Sequence, residues 1–227
     1  MARKSEEQDR PEPTAAPADA AGADAPAAEA PPAGGKTARA PRRSRAAAPA
    51  ADPAADDALA EKLERAGTLA ENGAHADAAE AFAAVVALRP DSVPALVGLG
   101  NALAAQGKFE AAEKELRRAE KLAPDDPPVL LHLGAMLVKR GNWSAAATTL
   151  RRVVELDPDL GAAYVLLGEA LNQMAESDAA IEVLEAAVRI QPESSKAYYA
   201  MGIAYDRKGN PDRAAEMYRL SRDVASR

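Results

Sequence analysis

Cysteine and histidine, which serve most often as nucleophiles, proton carriers and metal ligands, are nearly absent from this sequence of 227 residues. There is no Cys and there are two His, which argues against disulfides, thiolate metal sites and His-rich metal centres. Asp125 and Asp126 are adjacent, but they precede Pro127 and therefore fit the start of a helix better than a pair of catalytic carboxylates. The repeats contain no Gly-rich phosphate loop, nucleophile elbow or HExxH motif. We expect a protein that is not an enzyme and has no cofactor or metal.

Composition divides the chain near residue 56. Residues 1–56 contain 21 Ala and 9 Pro but no Leu, Ile, Val, Phe, Tyr or Trp. Such a segment has too little apolar surface to offset the entropy of ordering its backbone. From residue 57 onwards Leu and Val recur at helical spacing. We predict a disordered Ala/Pro-rich tail over 1–56 and an all-α domain over 57–227.

A basic run lies inside the predicted tail, with no acidic residue between residues 30 and 51. Such a run can hold nucleic acid or an acidic partner through its charge, although no aromatic side chain is near for base stacking. We favour a solubilising linker and keep the tethering role as the alternative. The run is formed by Lys36, Arg39, Arg42, Arg43 and Arg45.

A period of 34 residues runs through the folded part. Pro90, Pro124, Pro158 and Pro192 follow one another at this step, and columns of Gly, Ala and Leu keep the same register. A period of this length is the signature of a helical repeat array. The repeats predicted from it are 59–92, 93–126, 127–160, 161–194 and 195–227.

The residue types that recur at equivalent positions of the repeats, here called columns, have physical reasons. Gly in mid-helix costs about 1 kcal/mol relative to Ala, which is tolerable where a bulky side chain of the partner helix needs the space. Expected occupants of that space are Phe82, Leu116, Leu150, Leu184 and Tyr218. Gly also ends most of the first helices, because it favours the left-handed cap conformation. Repeat four has Ala175 there, so its turn should be either strained or differently shaped. At the C-terminal end, Ser221 and Arg222 replace apolar residues and are expected on a polar outer face.

Repeat four carries the pattern Tyr-x2-Leu-Gly-x2-Leu from Tyr164, then Ala180-x3-Leu184 and then Pro192. This pattern resembles the tetratricopeptide repeat, a helix–turn–helix unit of 34 residues. The resemblance implies a right-handed α-solenoid of five tandem repeats. It also implies that peptides of partner proteins bind on the concave surface formed by the first helices.

The resemblance assigns the groove to set positions of the first helices. Those positions give a floor that is largely apolar with polar edges, which suits an amphipathic helix or an extended segment. His132 and Glu169 could meet across neighbouring repeats, and they are interpreted as a polar pair in the groove rather than as a catalytic pair. The predicted lining is Val97, Asn101, Leu131, His132, Ala135, Val138, Val165, Glu169, Asn172, Lys196, Tyr199, Ile203 and Arg207.

These features favour an interaction scaffold, adaptor or chaperone-like protein that binds a partner peptide. The alternative is a protein that tethers nucleic acid or an acidic partner through the tail while the repeats recruit a second protein. A regulatory subunit of an enzyme would have the same sequence features as the first. No run approaches the length of a membrane span, and the first residues lack the apolar stretch of a signal peptide, so we expect a cytoplasmic protein. The sequence leaves the oligomeric state open.

Overall fold

The computed structural model describes residues 53–227, and side-chain burial from residue 56. The basic run of the tail lies outside the described residues. Within them the chain forms ten helices and no strand. The helices are α1 Pro53–Glu71, α2 His75–Leu88, α3 Val93–Ala105, α4 Phe109–Leu122, α5 Pro127–Arg140, α6 Trp143–Leu156, α7 Gly161–Gln173, α8 Ser177–Ile190, α9 Ser195–Arg207 and α10 Pro211–Ala225.

The helices pack as a stack of two-helix units. Each helix contacts the helix before it and the helix after it. The first helices α1, α3, α5, α7 and α9 also contact one another in sequence, whereas α2, α4, α6, α8 and α10 do not. The first helices are therefore the more closely spaced layer and form the concave side. This arrangement confirms the predicted all-α solenoid of tandem helix–turn–helix repeats.

Glycines in the first helices allow the two helices of a unit to approach closely. A Cβ atom added to Gly168 on α7 would lie 2.5 Å from Cγ of Leu184 on α8, too near for both to keep their places. Because Leu184 is fully buried, it has little room to move. The expected pairs are confirmed for Gly100–Leu116, Gly134–Leu150, Gly168–Leu184 and Gly202–Tyr218.

Phe82 is the exception among the expected occupants. Repeat one has Ala66 in the glycine column, and the ring of Phe82 instead lies over Gly98 on α3, in the following repeat. A Cβ atom at Gly98 would collide with this ring. Gly98 of the second unit therefore leaves the space that the ring of Phe82, in the first unit, occupies.

The turns after the first helices use the left-handed backbone conformation. Gly107, for example, has φ +75°, and no atom would meet a Cβ placed there. In the fourth unit Ala175 adopts φ +61° instead. An L-residue in this conformation costs about 1–2 kcal/mol, so the turn between α7 and α8 is strained, as predicted.

We expect Ala175→Gly to stabilise the protein by about 0.5–1 kcal/mol, because it removes the left-handed penalty but adds the chain entropy of glycine. Urea unfolding followed by circular dichroism measures the change. The matched control is Gly107→Ala, which introduces the same strain in the second unit and should destabilise by a similar amount. Equal stability of the wild type and Ala175→Gly would contradict the assigned strain.

The C-terminal end differs from the expected polar face at one residue. Ser221 is buried, and its hydroxyl donates a hydrogen bond to the carbonyl oxygen of Ser195 at 2.9 Å. The prediction that Ser221 lies on the outer face is therefore wrong, because its column faces α9. Arg222, the next residue, is exposed.

Candidate peptide-binding groove

The last three units border an open cavity of about 520 Å³ on the concave side, which is lined mainly by their first helices. Helix α5 contributes Val138, α7 contributes Glu169 and Asn172, and α9 contributes Tyr199 and Ile203. Glu169 and Asn172 share a wall because residues three apart lie on one face of a helix. The remaining lining residues are Trp143, Gln173, Ser195, Lys196, Ala200 and Ser221.

A second cavity, of about 480 Å³, adjoins the first and shares Val138, Glu169 and Lys196 with it. We call the surface formed by the two cavities the inner groove. It extends over α5, α7 and α9. The residues that line only the second cavity are Ala135, Lys139, Ala162, Val165, Leu166, Gln191 and Ser194.

The structure brings together the part of the predicted lining that comes from the third, fourth and fifth repeats. Val97 and Leu131 are half-buried and pack against the core instead. Arg207 is exposed at the end of α9, away from both cavities. The predicted residues that line the inner groove are Ala135, Val138, Val165, Glu169, Asn172, Lys196, Tyr199 and Ile203.

Val165 lines the groove but belongs mainly to the core. Its side chain is buried, with 7% exposed. Tyr199 is the opposite case, because 57% of it is exposed on the first cavity. Tyr199 is therefore the apolar side chain of the inner groove most accessible to a ligand.

His132 and Asn101 form a polar contact between α5 and α3. The amide nitrogen Nδ2 of Asn101 lies 3.1 Å from Nδ1 of His132. Burial lowers the pKa of His132, which favours a neutral ring whose Nδ1 accepts this hydrogen bond. Among residues 53–227 no hydrogen bond joins His132 to Glu169, so the predicted polar pair is not formed and His132 pairs with Asn101 instead.

Glu169 is a half-buried carboxylate on the α7 wall of the inner groove. Burial raises its pKa, and the positive charge of Lys196 acts in the opposite direction. Lys196 and Lys139 are the other charged residues lining the two cavities, and both are exposed. Within residues 53–227 no cationic nitrogen lies within 4 Å of the Glu169 carboxylate, and the carboxylate accepts no hydrogen bond. Its negative charge is therefore incompletely compensated.

Asn172 is a buried amide that connects two first helices. Its Nδ2 donates a hydrogen bond to the carbonyl oxygen of Ala200 at 2.8 Å. This contact fixes the amide orientation, because a carbonyl oxygen can only accept. The side-chain oxygen Oδ1 is then left buried, and it has no hydrogen-bond partner in the described part of the chain.

The fifth unit supports the exposed ring of Tyr199. The ring centroid of Tyr218 lies 5.5 Å away, with the two planes inclined by 51°. The Tyr218 hydroxyl donates a hydrogen bond to Oδ2 of Asp206 at 2.7 Å. Burial, followed by this hydrogen bond, raises the pKa of Tyr218 to about 12. Tyr218 therefore remains a neutral hydrogen-bond donor. Its ring packs beside the ring of Tyr199.

Several residues that line the inner groove were absent from the predicted lining, among them Trp143, Ser195 and Ser221. Trp143 begins α6, a second helix, whereas the prediction considered first helices only. It is the single Trp of the chain and follows directly after the turn that ends α5. A large aromatic residue next to that turn was the available signal.

The described residues contain no group of His, Asp and Glu side chains arranged to hold a metal ion. None of the helices in that part of the chain combines the length and apolar character needed to cross a bilayer.

Models of the tetratricopeptide repeat match residues 69–137, 131–195 and 173–223, which together span most of the chain. This chain is a tetratricopeptide-repeat protein. A search of curated proteins found no match.

Solved structures share the tetratricopeptide-repeat fold of this chain. A crystal structure of MamA is 26% identical with a TM-score of 0.63, covering 71% of this chain and 94% of that one. A MamA fragment from Desulfovibrio magneticus RS-1, residue 41 to the end, is 24% identical with a TM-score of 0.67, covering 74% and 95%. YrrB, described as a tetratricopeptide-repeat protein with an unusual peptide-binding site, is 23% identical with a TM-score of 0.59, covering 72% and 84%.

Proposed function

We propose that this protein is a non-enzymatic scaffold or adaptor whose inner groove holds a segment of a partner protein. The observation that carries the proposal is the pair of adjoining cavities on the concave side, with an exposed aromatic side chain, Tyr199, on the first. Exposed aromatic residues in concave, partly apolar surfaces are the anchors that typically dominate protein interfaces. Membership of the tetratricopeptide-repeat family supports a protein-interaction role.

The shape of the inner groove favours a segment of a protein over a small metabolite. The groove continues over three successive first helices and is open to solvent along them. Its polar groups are spread along it rather than converging on one point, which suits an extended or helical segment with several anchors. A chaperone-like role would use the same surface. A cytoplasmic location is part of the proposal and rests on the sequence alone.

The tethering alternative depends on residues 36–45, which lie outside the described residues. It therefore stays a prediction from the sequence. The described structure adds no observation in favour of nucleic-acid binding.

The sole tryptophan provides the test of the proposal, because Trp143 lines the inner groove. Random peptides of twelve residues are selected by display on the full chain, and the enriched peptides are titrated while Trp143 emission is recorded. We expect saturable changes in emission with micromolar dissociation constants. Enriched peptides that bind without changing the emission, and that bind a Tyr199→Ala variant equally well, would place the binding surface elsewhere and contradict the proposal.

A further inference from the structure

Two hydrogen-bond acceptors on one wall of the inner groove lack a full complement of donors. The Glu169 carboxylate makes no hydrogen bond or ion pair within 4 Å among residues 53–227, and Oδ1 of Asn172 is buried without a partner. Both side chains belong to α7 and line the same cavity. A buried acceptor without a donor, as Oδ1 of Asn172 is among the described residues, is rare in folded proteins, because each lost hydrogen bond costs free energy. The Glu169 carboxylate is only half-buried and adds the negative charge. A donor supplied by a ligand would remove that cost.

We propose that the inner groove recognises a cationic side chain of the bound segment, an arginine or a lysine, at Glu169 and Asn172. The inference rests on the proposed function, since it names the chemistry of the segment that the groove holds. An ammonium or guanidinium group carries several donors and no acceptor, and so matches the carboxylate of Glu169 and Oδ1 of Asn172, which can only accept.

The environment strengthens the attraction of a cation to Glu169. The carboxylate is half-buried, so its charge is screened less than a charge at the surface. Tyr199 lines the same cavity with an exposed ring, and aromatic faces attract cations. The expected position of the cationic group is therefore between the α7 wall and the Tyr199 ring.

Lys196 offsets part of the negative charge of Glu169, but the two side chains form no ion pair within 4 Å among the described residues, so the carboxylate keeps room for a second cation. The ammonium groups of Lys196 and Lys139 are both exposed at the rim, where water solvates them. They are free of any ion pair among the described residues. Their donors are available to carbonyl or carboxylate oxygens of the bound segment. The inner groove thus offers acceptors on its α7 wall and donors at its rim. This pattern fits a peptide that carries a cationic side chain and whose backbone carbonyl groups accept hydrogen bonds.

The main competing ligand chemistry is a neutral donor, such as a peptide N–H group. A matched pair of peptides separates the two. The tightest peptide from display selection on the full chain is synthesised with arginine, and again with citrulline, which keeps the shape but removes the charge. Trp143 emission reports the binding of each.

We expect selection to enrich arginine or lysine at one fixed position, and the citrulline peptide to bind the wild type about tenfold more weakly or worse. In Glu169→Gln the two peptides should bind within about twofold of each other. In Lys196→Met, the control, the preference for arginine should persist, since Lys196 contacts other atoms of the segment.

The Glu169→Gln variant is expected to remain folded. Burial raises the pKa of Glu169, so the folded state binds more protons at this carboxyl than the unfolded state does. Stability should therefore fall as the pH rises from the usual pKa of a Glu carboxyl through the raised pKa of Glu169, because the carboxylate becomes charged in a half-buried place. At neutral pH the Glu169→Gln variant, whose amide carries no charge, should melt at or above the wild-type temperature.

The outcomes separate this inference from the proposed function. Equal binding of the arginine and citrulline peptides to the wild type would leave the groove as the binding site but overturn recognition of a cation. A preference for arginine that survives Glu169→Gln would also overturn it. If the selected peptides bind without changing Trp143 emission and bind Tyr199→Ala as well as the wild type, the proposed function fails and this inference fails with it.

Discussion

Gly168→Ala is expected to lower the free energy of unfolding by about 1–3 kcal/mol, although alanine is normally the better helix former. The added methyl group would lie 2.5 Å from Leu184, a side chain with no exposed surface. One of the two helices must then move, or the leucine must leave its rotamer. Urea unfolding of the two proteins measures the difference.

A double-mutant cycle gives this prediction its specific test. Leu184→Ala alone should cost about 2–5 kcal/mol, because it leaves a cavity in the core. In that background Gly168→Ala should become neutral or stabilising, which gives a coupling energy of about 1–3 kcal/mol or more. The control is Gly67→Ala on α1, where no atom lies within 4 Å of the added methyl group and the change should stabilise by up to about 1 kcal/mol. Additive effects at residues 168 and 184 would contradict the packing of α7 on α8.

Tyr199→Ala should weaken binding of a selected groove peptide about 30-fold. Truncation of an aromatic anchor at the centre of an interface typically costs about 2 kcal/mol or more. Tyr199 is suited to that role because it is exposed in the free protein and its ring rests beside Tyr218. Titration of Trp143 emission or isothermal calorimetry measures the loss.

Leu88→Ala is the matched control for Tyr199→Ala. Leu88 is also a large exposed apolar residue, with 63% of its surface accessible, but it lies at the end of α2 and lines neither cavity of the inner groove. Its truncation should leave peptide affinity within about twofold of the wild type. If both substitutions weaken binding equally, Tyr199 is not a specific anchor.

Tyr199→Ala should also lower the free energy of unfolding by about 0.5–1.5 kcal/mol, because it removes the ring contact with Tyr218. Urea unfolding followed by circular dichroism measures this change.

Much of the fold could be predicted from the sequence, because the repeat period ties several columns to one packing geometry. The pairing of Gly168 with Leu184 follows from the need for space at a helix crossing, and the strained turn at Ala175 follows from the glycines at equivalent positions. Phe82 could not be placed in the same way. Its own unit has Ala66 in the glycine column, so the position of its ring depends on contacts between units.

The groove was less predictable than the fold. Repeat position indicates which helix face a residue occupies, but it does not tell whether the side chain faces open space. Val97 and Leu131 occupy groove positions yet pack against the core, whereas Trp143 reaches the groove from a second helix. Asn172 donates its Nδ2 to Ala200 in the next repeat, which leaves Oδ1 without a partner among residues 53–227; sequence periodicity does not encode this contact.

The most direct test of the central claim, that the inner groove is the surface that holds a partner, is site-specific photo-crosslinking. The full chain carries benzoylphenylalanine at position 199 in the groove or at position 182 on α8, an exposed position outside both cavities. After irradiation with the selected peptide, we expect a covalent adduct from position 199 and none from position 182. An adduct from position 182 and none from position 199 would contradict the account.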